Sequence, residues 1–260
     1  MSNYTNLKLT IDNHIAVLTL NNPPAHTWTK DSLASLKQLI SDLNANKQVT
    51  ALVVHGDGEK FFSAGADLNS FASGDKGQAA EMAIAFGEAF EALSNFRGVS
   101  IACINGYAMG GGLECALACD IRIAESHAQM ALPELSVGLL PCAGGTQNLP
   151  WLVGEGWAKR MILCGERIKA DKALQIGLVE EVVESGKGLQ TALELAQKVA
   201  KQSPDAIASS KTLIMSARYQ PPSFNWIKER ELFIKLFDGD NQQEGVNAFL
   251  EKRSPEWKQS

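Results

Sequence analysis

The sequence predicts a layered α/β protein with a helical C-terminal tail. Two observations carry this. Up to Ile104, short strand-like runs alternate with stretches of helical periodicity, the pattern of a layered α/β core. After Ala170, helical segments follow one another almost without interruption. With 260 residues, 45% of them hydrophobic and 20% charged, the chain can bury a large core unaided.

Residues 7–11 and 15–20 read as two strands joined through Asp12, Asn13 and His14, and Asn22-Pro23-Pro24 ends the second. Thr29 or Asp31 can cap a following helix, because Leu33, Leu36, Leu39, Ile40 and Leu43 recur at helical spacing. Residues 51–55 form a buried-strand pattern before the turn Gly56-Asp57-Gly58, and 61–64 a shorter strand. Residues 78–93 are helical, 99–104 a strand and 113–119 helical again. Beyond Ala170, helices are expected over 170–176, 188–202, 204–216, 223–237 and 241–252, with one extended stretch at 178–183. Pro204 suits a helix start, where its missing N–H is no loss. The expected division is a core over 1–195 and a helical region over 196–260. The tail has too few apolar partners of its own, and is expected to pack on the core or on another subunit.

Composition excludes several classes. A net charge of −5 offers no basic footprint for nucleic acid. No apolar run approaches the ~20 residues that span a bilayer, and Met1 to Thr10 lacks the pattern of a secretory leader. Cys103, Cys115, Cys119, Cys142 and Cys164 are odd in number, form no CxxC pair and lie in apolar surroundings. Buried free thiols in a reducing cytoplasm are expected. Cys115 and Cys119 lack the neighbouring ligands that a metal would need, so no metal site is expected.

The chemistry concentrates in three stretches. Asn105-Gly106-Tyr107-Ala108-Met109-Gly110-Gly111-Gly112-Leu113-Glu114 places three glycines between a strand and a helix. A helix N-terminus offers unpaired N–H groups and the positive dipole end, and glycine lets a ligand approach that backbone. The same glycines would also serve simple tight packing. Glu114 tips the balance, being the only charged residue between Arg97 and Asp120. A lone carboxylate among apolar residues has a raised pKa, which suits proton transfer near neutrality. Glu134 repeats the pattern: no Asp, Glu, Lys or Arg accompanies it between Glu125 and Glu155. Together the two look like a catalytic pair. The third stretch, Phe61-Phe62-Ser63-Ala64-Gly65-Ala66-Asp67-Leu68, is small enough for close ligand approach, with Asp67 placed to cap a turn. No G-x-S-x-G motif is present, and His14, His26, His55 and His127 have no evident nucleophile partner.

These three stretches, with Pro133-Glu134, Gly144-Gly145-Thr146-Gln147, Gly177-Leu178-Val179 and the tail Ala248-Phe249-Leu250-Glu251-Lys252-Arg253, stand in the order and spacing of the enoyl-CoA hydratase/isomerase (crotonase) family, which the chain resembles over nearly its whole length. The resemblance implies a crotonase-like spiral of ββα units with a C-terminal helical trimerisation region, assembled as a trimer or a dimer of trimers. It implies an oxyanion hole at the Ala66 and Gly111 N–H groups, and CoA contacts at Ala64, Ala66, Asp67, Leu68, Asn69, Gly111 and Cys142. Phe233 is expected to reach the CoA site of a neighbouring subunit. The implied activity is hydration of a 2-enoyl-CoA in fatty-acid or related acyl-CoA degradation, without cofactor, CoA being part of the substrate.

Keeping both Glu114 and Glu134 favours hydratase over Δ3,Δ2-enoyl-CoA isomerase or another acyl-CoA lyase, and over a non-catalytic CoA- or RNA-binding relative. Three positions depart from the family. Cys142 stands where similar hydratases carry a glycine whose N–H helps hold the water. Asn69 replaces a frequent lysine, and His26 a frequent asparagine. The acyl pocket is expected to be walled by the helical region 78–90.

Overall fold

Asn13 and His14 take φ of 44° and 71° and form the turn that pairs β1 (Leu7–Asp12) antiparallel with β2 (Ile15–Leu20). Positive φ at both central residues gives a two-residue hairpin the twist of its strands. The computed structural model describes residues 4–258; residues 1–3 and 259–260, the ends of the two expected regions, lie outside the described residues. Thr29, rather than Asp31, caps α1 (Lys30–Ala45): its side chain accepts from the Ser32 N–H, and Ser32 Oγ accepts from the Thr29 N–H. This reciprocal pair satisfies two N–H groups that a helix start leaves orphaned. Leu33, Leu36, Leu39, Ile40 and Leu43 are buried, as their spacing predicts.

From there the chain winds in repeating turns, each giving one strand to each of two sheets. β3 (Ala51–Gly56) and β4 (Phe61–Ser63) precede α2 (Lys76–Ser94). β5 (Val99–Ile104) and β6 (Tyr107–Met109) precede α3 (Gly111–Ala118). β7 (Ile121–Glu125) and β8 (Gln129–Ala131) precede a 3-10 turn (Glu134–Val137) and α4 (Gly145–Leu163). Then come β9 (Ile168–Lys169), α5 (Ala170–Gln175), β10 (Glu181–Val183) and α6 (Gly188–Ala200). The larger sheet runs β1-β2-β3-β5-β7-β10 and the smaller β4-β6-β8-β9. Pairing is parallel except at the edges, where β1 on β2 and β9 on β8 are antiparallel. This is the ββα spiral that the resemblance implies.

Alternation on the central strands divides the core. Leu52, Val54, Ala102 and Ile104 face the main cluster with α1, α2 and α3, whereas Ala51, Val53, Ile101 and Cys103 face Ala192 and Ala196 of α6. A strand covered on both faces reads as a continuous apolar run, as 51–54 does. Each fully buried Val, Leu or Ile contributes roughly 1.5–3 kcal/mol. α6 is continuous through residue 195, and Val199 and Ala200 still pack on the sheet.

Several elements depart from the sequence reading. β6, β7, β8 and α4 had no sequence signal assigned. β6 and β8, of three residues each, are too short to show alternation, β7 has only five, and α4 carries Pro150 and a break at Gly154 (φ 76°, ψ 162°) that interrupt its periodicity. The extended stretch expected over 178–183 is a strand only from Glu181; Leu178 and Val179 are buried in the turn after α5. Cys103, Cys115 and Cys119 are buried, but Cys142 and Cys164 are exposed, correcting the expectation of five buried thiols. These two lie in the loop before α4 and at its end, where little packs over them.

The tail consists of α7 (Pro204–Ser216), α8 (Pro222–Lys235), a 3-10 turn (Leu236–Asp238) and α9 (Asp240–Glu251). Lys211 of α7 ties it to the core, donating to the Phe96 and Gly98 carbonyls and to Asp120 Oδ2 at 2.8, 3.1 and 2.7 Å. Phe224, Trp226, Ile227, Phe233, Ile234, Phe237, Phe249 and Leu250 remain exposed. Among the described residues no helix is long and apolar enough to cross a membrane.

Candidate active site

At the end of β6 the chain reverses through Gly110 (φ 52°), whose N–H donates to the Ala131 carbonyl, and α3 begins at Gly111. A β-carbon on Gly112 would lie 2.1 Å from the Ser63 carbonyl oxygen, so only glycine allows α3 this close to β4. α3 is buried along its whole length, and Glu114 with it at 3% exposure. Glu114 Oε1 accepts from the N–H groups of Ala143 at 2.8 Å and Gly145 at 2.9 Å. Burial pushes its pKa up, while the Gly145 and Ala143 bonds pull it back by favouring the anion. Both bonds fall on one oxygen, so the other can receive a water or ligand.

Glu134 opens the 3-10 turn after β8. A β-carbon on Gly110 would sit 2.9 Å from Glu134 Oε1, which shows how closely this carboxyl lies against the start of α3. Glu134 Oε2 is buried with no partner among the described residues. Burial raises this group to about 7, its own backbone N–H pulling it down and the Glu114 charge adding to the rise. An unpaired carboxyl half-protonated near neutrality is equipped to give or take a proton.

The third component comes from the segment after β4. Gly65 takes φ 90°, and Trp28 and Ala66 form a parallel bridge in which the Trp28 N–H donates to the Gly65 carbonyl and the Asp67 N–H to the Trp28 carbonyl. Those two bonds bypass the Ala66 N–H. The Gly111 N–H, at the first position of α3, has no intrahelical acceptor either. A β-carbon built on Gly111 would lie 3.7 Å from the Ala66 nitrogen, so the two donors are neighbours. Paired, unspent N–H groups beside a helix start suit an oxyanion.

These groups share one cleft of about 460 Å³. Ala64, Ala66, Asp67, Leu68, Gly111, Glu114, Glu134 and Cys142 all line it. Asp67 caps the 3-10 turn Leu68–Phe71, its Oδ1 accepting from the Asn69 N–H. The structure thus brings together eight of the residues singled out from sequence. Two are not there. Asn69 turns its side-chain amide back to Asp67 Oδ1 at 2.9 Å and does not line the cleft. Phe233 is 62% exposed on α8, its ring tilted against Phe237, and does not line the cleft of its own chain.

Of the helical wall expected from residues 78–90, only Phe86 reaches the cleft. The lining that Val137, Leu139 and Leu140 give has no counterpart in the sequence reading. It is a loop, so no periodicity announces it. The sequence reading also gave no role to Gly145, although its motif was noticed; its N–H holds Glu114. His26, at φ 51°, is buried and structural: Nε2 lies 2.8 Å from the Asp57 carbonyl, and Nδ1 accepts from the Asn22 N–H.

A two-sheet spiral that sets a buried and a half-buried carboxyl beside a pair of unspent N–H groups suits an enzyme acting on an acyl group whose carbonyl bears negative charge. Comparison makes this specific. The family described as enoyl-CoA hydratase/isomerase matches residues 10–260. A short-chain-enoyl-CoA hydratase of Clostridium acetobutylicum is 37% identical over 96% of this chain and 97% of its own. A 2,3-dehydroadipyl-CoA hydratase of Escherichia coli is 38% identical over 94% and 95%. Among solved structures, Pseudomonas aeruginosa DspI is 64% identical with a TM-score of 0.97, covering 99% of this chain and 98% of that one. An enoyl-CoA hydratase of Bacillus anthracis is 33% identical with a TM-score of 0.94, covering 98% and 100%. The chain belongs to the enoyl-CoA hydratase/isomerase family.

Proposed function

We propose that this protein adds water across the 2,3 double bond of a 2-enoyl-CoA to give a 3-hydroxyacyl-CoA. The observation that carries this is the pair of carboxyls, Glu114 and Glu134, in one cleft with the Ala66 and Gly111 N–H groups. The thioester carbonyl accepts from those two donors, which makes the β-carbon electrophilic. Glu114, held as the anion by Ala143 and Gly145, takes a proton from a water as the water oxygen bonds to the β-carbon. Charge then builds on the thioester oxygen as an enolate, where a preorganised donor is worth about 2.7–4 kcal/mol of barrier. Glu134 gives its proton to the α-carbon, and the enolate collapses to the saturated thioester. The proton left on Glu114 replaces the one lost by Glu134, through solvent or product exchange. The step needs no cofactor or metal, CoA being part of the substrate.

Cys142 keeps a backbone N–H beside the two carboxyls, so the water contact attributed to glycine in similar hydratases can persist. The exposed apolar face of α8 and α9 fits a homotrimer or dimer of trimers, with Phe233 at a neighbouring subunit's CoA site. The buried thiols and the absence of a basic surface excess fit a cytoplasmic enzyme of acyl-CoA degradation.

The test is hydration of crotonyl-CoA, followed as loss of the conjugated enoyl-thioester absorbance, beside Glu114→Ala and Glu134→Ala. Turnover by wild type that collapses in both variants supports the reading. A wild type inactive on crotonyl-CoA and on a longer enoyl-CoA overturns it.

A further inference from the structure

The two halves of the oxyanion hole lie just beyond paired strands: β4 and β6 pair as far as Ser63 and Ala108, and Ala66 and Gly111 follow them after that register ends. Their separation must still be held to a fraction of an ångström, because a donor displaced by about 1 Å can lose ~10²-fold in rate. We propose that the aromatic row Trp28–Phe90–Phe86 sets that separation, and that Phe90 is a positioning residue for the oxyanion hole although it does not line the cleft.

The row is continuous. Trp28 fixes the Ala66 segment by its backbone, bonding on both sides of Ala66 through Gly65 and Asp67. Its indole meets the Phe90 ring edge to face, with centroids 5.5 Å apart and planes at 74°. Phe90 meets Phe86, one helical turn back on α2, at 5.6 Å and 79°. Phe86 then lies against the other donor: a β-carbon on Gly111 would be 2.8 Å from Phe86 Cε1 and 3.2 Å from Cζ. Gly111 therefore has no side chain in the place where the ring sits. The same point is 3.7 Å from the Ala66 nitrogen, so the row leaves one donor and returns beside the other.

Rigidity is the physical basis. Trp28 and Phe90 are each 2% exposed, in a close-packed interior where rings cannot slide without opening a void, and Phe86, 3% exposed, carries that packing to the edge of the cleft. Edge-to-face pairs prefer a defined geometry, which aliphatic side chains do not impose. α2 thereby acts as a brace between the bridge at Trp28 and the N-terminus of α3.

This inference rests on the hydratase reading, and the experiment separates the two. Phe90→Leu and Phe90→Met are compared with wild type and with Phe96→Leu, a fully buried phenylalanine outside the row. Met keeps most of the volume, so a folded variant is retained if Leu leaves too large a void. Two quantities are read: steady-state hydration of crotonyl-CoA, and the red shift of 4-dimethylaminocinnamoyl-CoA on binding, which reports polarisation of its carbonyl by the two donors. The expected result is a kcat lowered at least about tenfold in both Phe90 variants, with KM within about twofold and a diminished red shift. Phe96→Leu leaves kcat and the shift as in wild type. Phe90 variants with wild-type kcat and red shift, or an equal loss in Phe96→Leu, overturn the proposal. If wild type shifts the probe but hydrates no enoyl-CoA, the hydratase reading falls, and the shift alone decides the role of Phe90. If wild type does neither, both fall.

Discussion

Glu114 Oε1 accepts the Gly145 N–H at 2.9 Å, and a β-carbon on Gly145 would stand 2.9 Å from that same oxygen and 3.1 Å from Glu114 Cγ. The residue that holds the carboxylate is thus one that cannot carry a side chain without striking it. Glu114 is buried on α3, so its carboxylate can give way only towards the cleft, out of its place over the water.

Gly145→Ala is therefore expected to lower kcat about 10²-fold by displacing Glu114, with a stability loss of about 1–3 kcal/mol from overpacking. Gly156→Ala, in the same helix, meets nothing within 4 Å and keeps wild-type kcat. Crotonyl-CoA kinetics and urea unfolding on the two variants check this. Equal activity in both would refute it.

Glu134, raised to about 7, gives the two directions of the reaction a shared pH dependence, because the overall hydration takes up and releases no net proton. Hydration uses its protonated form, so kcat/KM falls as pH rises through about 7. Dehydration of the 3-hydroxyacyl-CoA uses the Glu134 anion with the proton on Glu114, the same total protonation of the pair, so its kcat/KM falls over the same range. Glu114 interacts with Glu134, so the observed values belong to the pair. Profiles of kcat/KM in both directions from pH 5.5 to 9 should run parallel and fall through about 7, and a flat profile would contradict the role given to Glu134.

The same group links stability to pH. The folded state keeps the Glu134 proton to about 7, whereas an unfolded glutamate loses it near 4.5. Between those values the folded state binds more protons, so stability falls as pH rises. Glu134→Gln removes that dependence. Its Tm relative to wild type should be higher at pH 8 than at pH 5, and a difference independent of pH would contradict the assignment.

Cys142 is exposed in the cleft, yet burial of the thiol and the charges of Glu114 and Glu134 push it to about 11. Alkylation by iodoacetamide should be slow at pH 7 and accelerate steadily into the alkaline range, because the thiolate is the nucleophile. It should abolish activity by filling the cleft, and bound acyl-CoA should protect. Cys142→Ala should resist inactivation, while Cys164→Ala, altered at the other exposed thiol, should remain sensitive.

Lys211 joins α7 to the core through Asp120 and two carbonyls, in a largely buried setting. Lys211→Met leaves Asp120 without its cation, which typically costs about 3–5 kcal/mol. Asp120→Asn with Lys211→Met should recover part of that loss. Urea unfolding of the single and double variants measures the coupling.

Legibility in the sequence followed local physics. α1 was readable because its five apolar residues recur at the helical period and Thr29 caps it. Glu114 and Glu134 were readable as single charges in apolar runs, since an unpaired carboxylate there has few reasons to exist. The pairing of the Ala66 and Gly111 N–H groups was readable only as what the family resemblance implies. By contrast, α4 was hidden by Pro150 and Gly154, and the short strands of the smaller sheet offered too few residues for a period.

By itself, then, the sequence determined the α/β class, the helical tail, the family and the pair of acids, because each is encoded by residues close together in the chain. The tertiary structure decided what those acids experience. Gly145, 31 residues beyond Glu114, supplies its N–H; Asn69 turns away; Leu139 and Leu140 wall the cleft; Phe86 lies on Gly111. Each of these depends on where the spiral brings distant segments together, and burial and contact across turns leave no periodicity in the chain to be read.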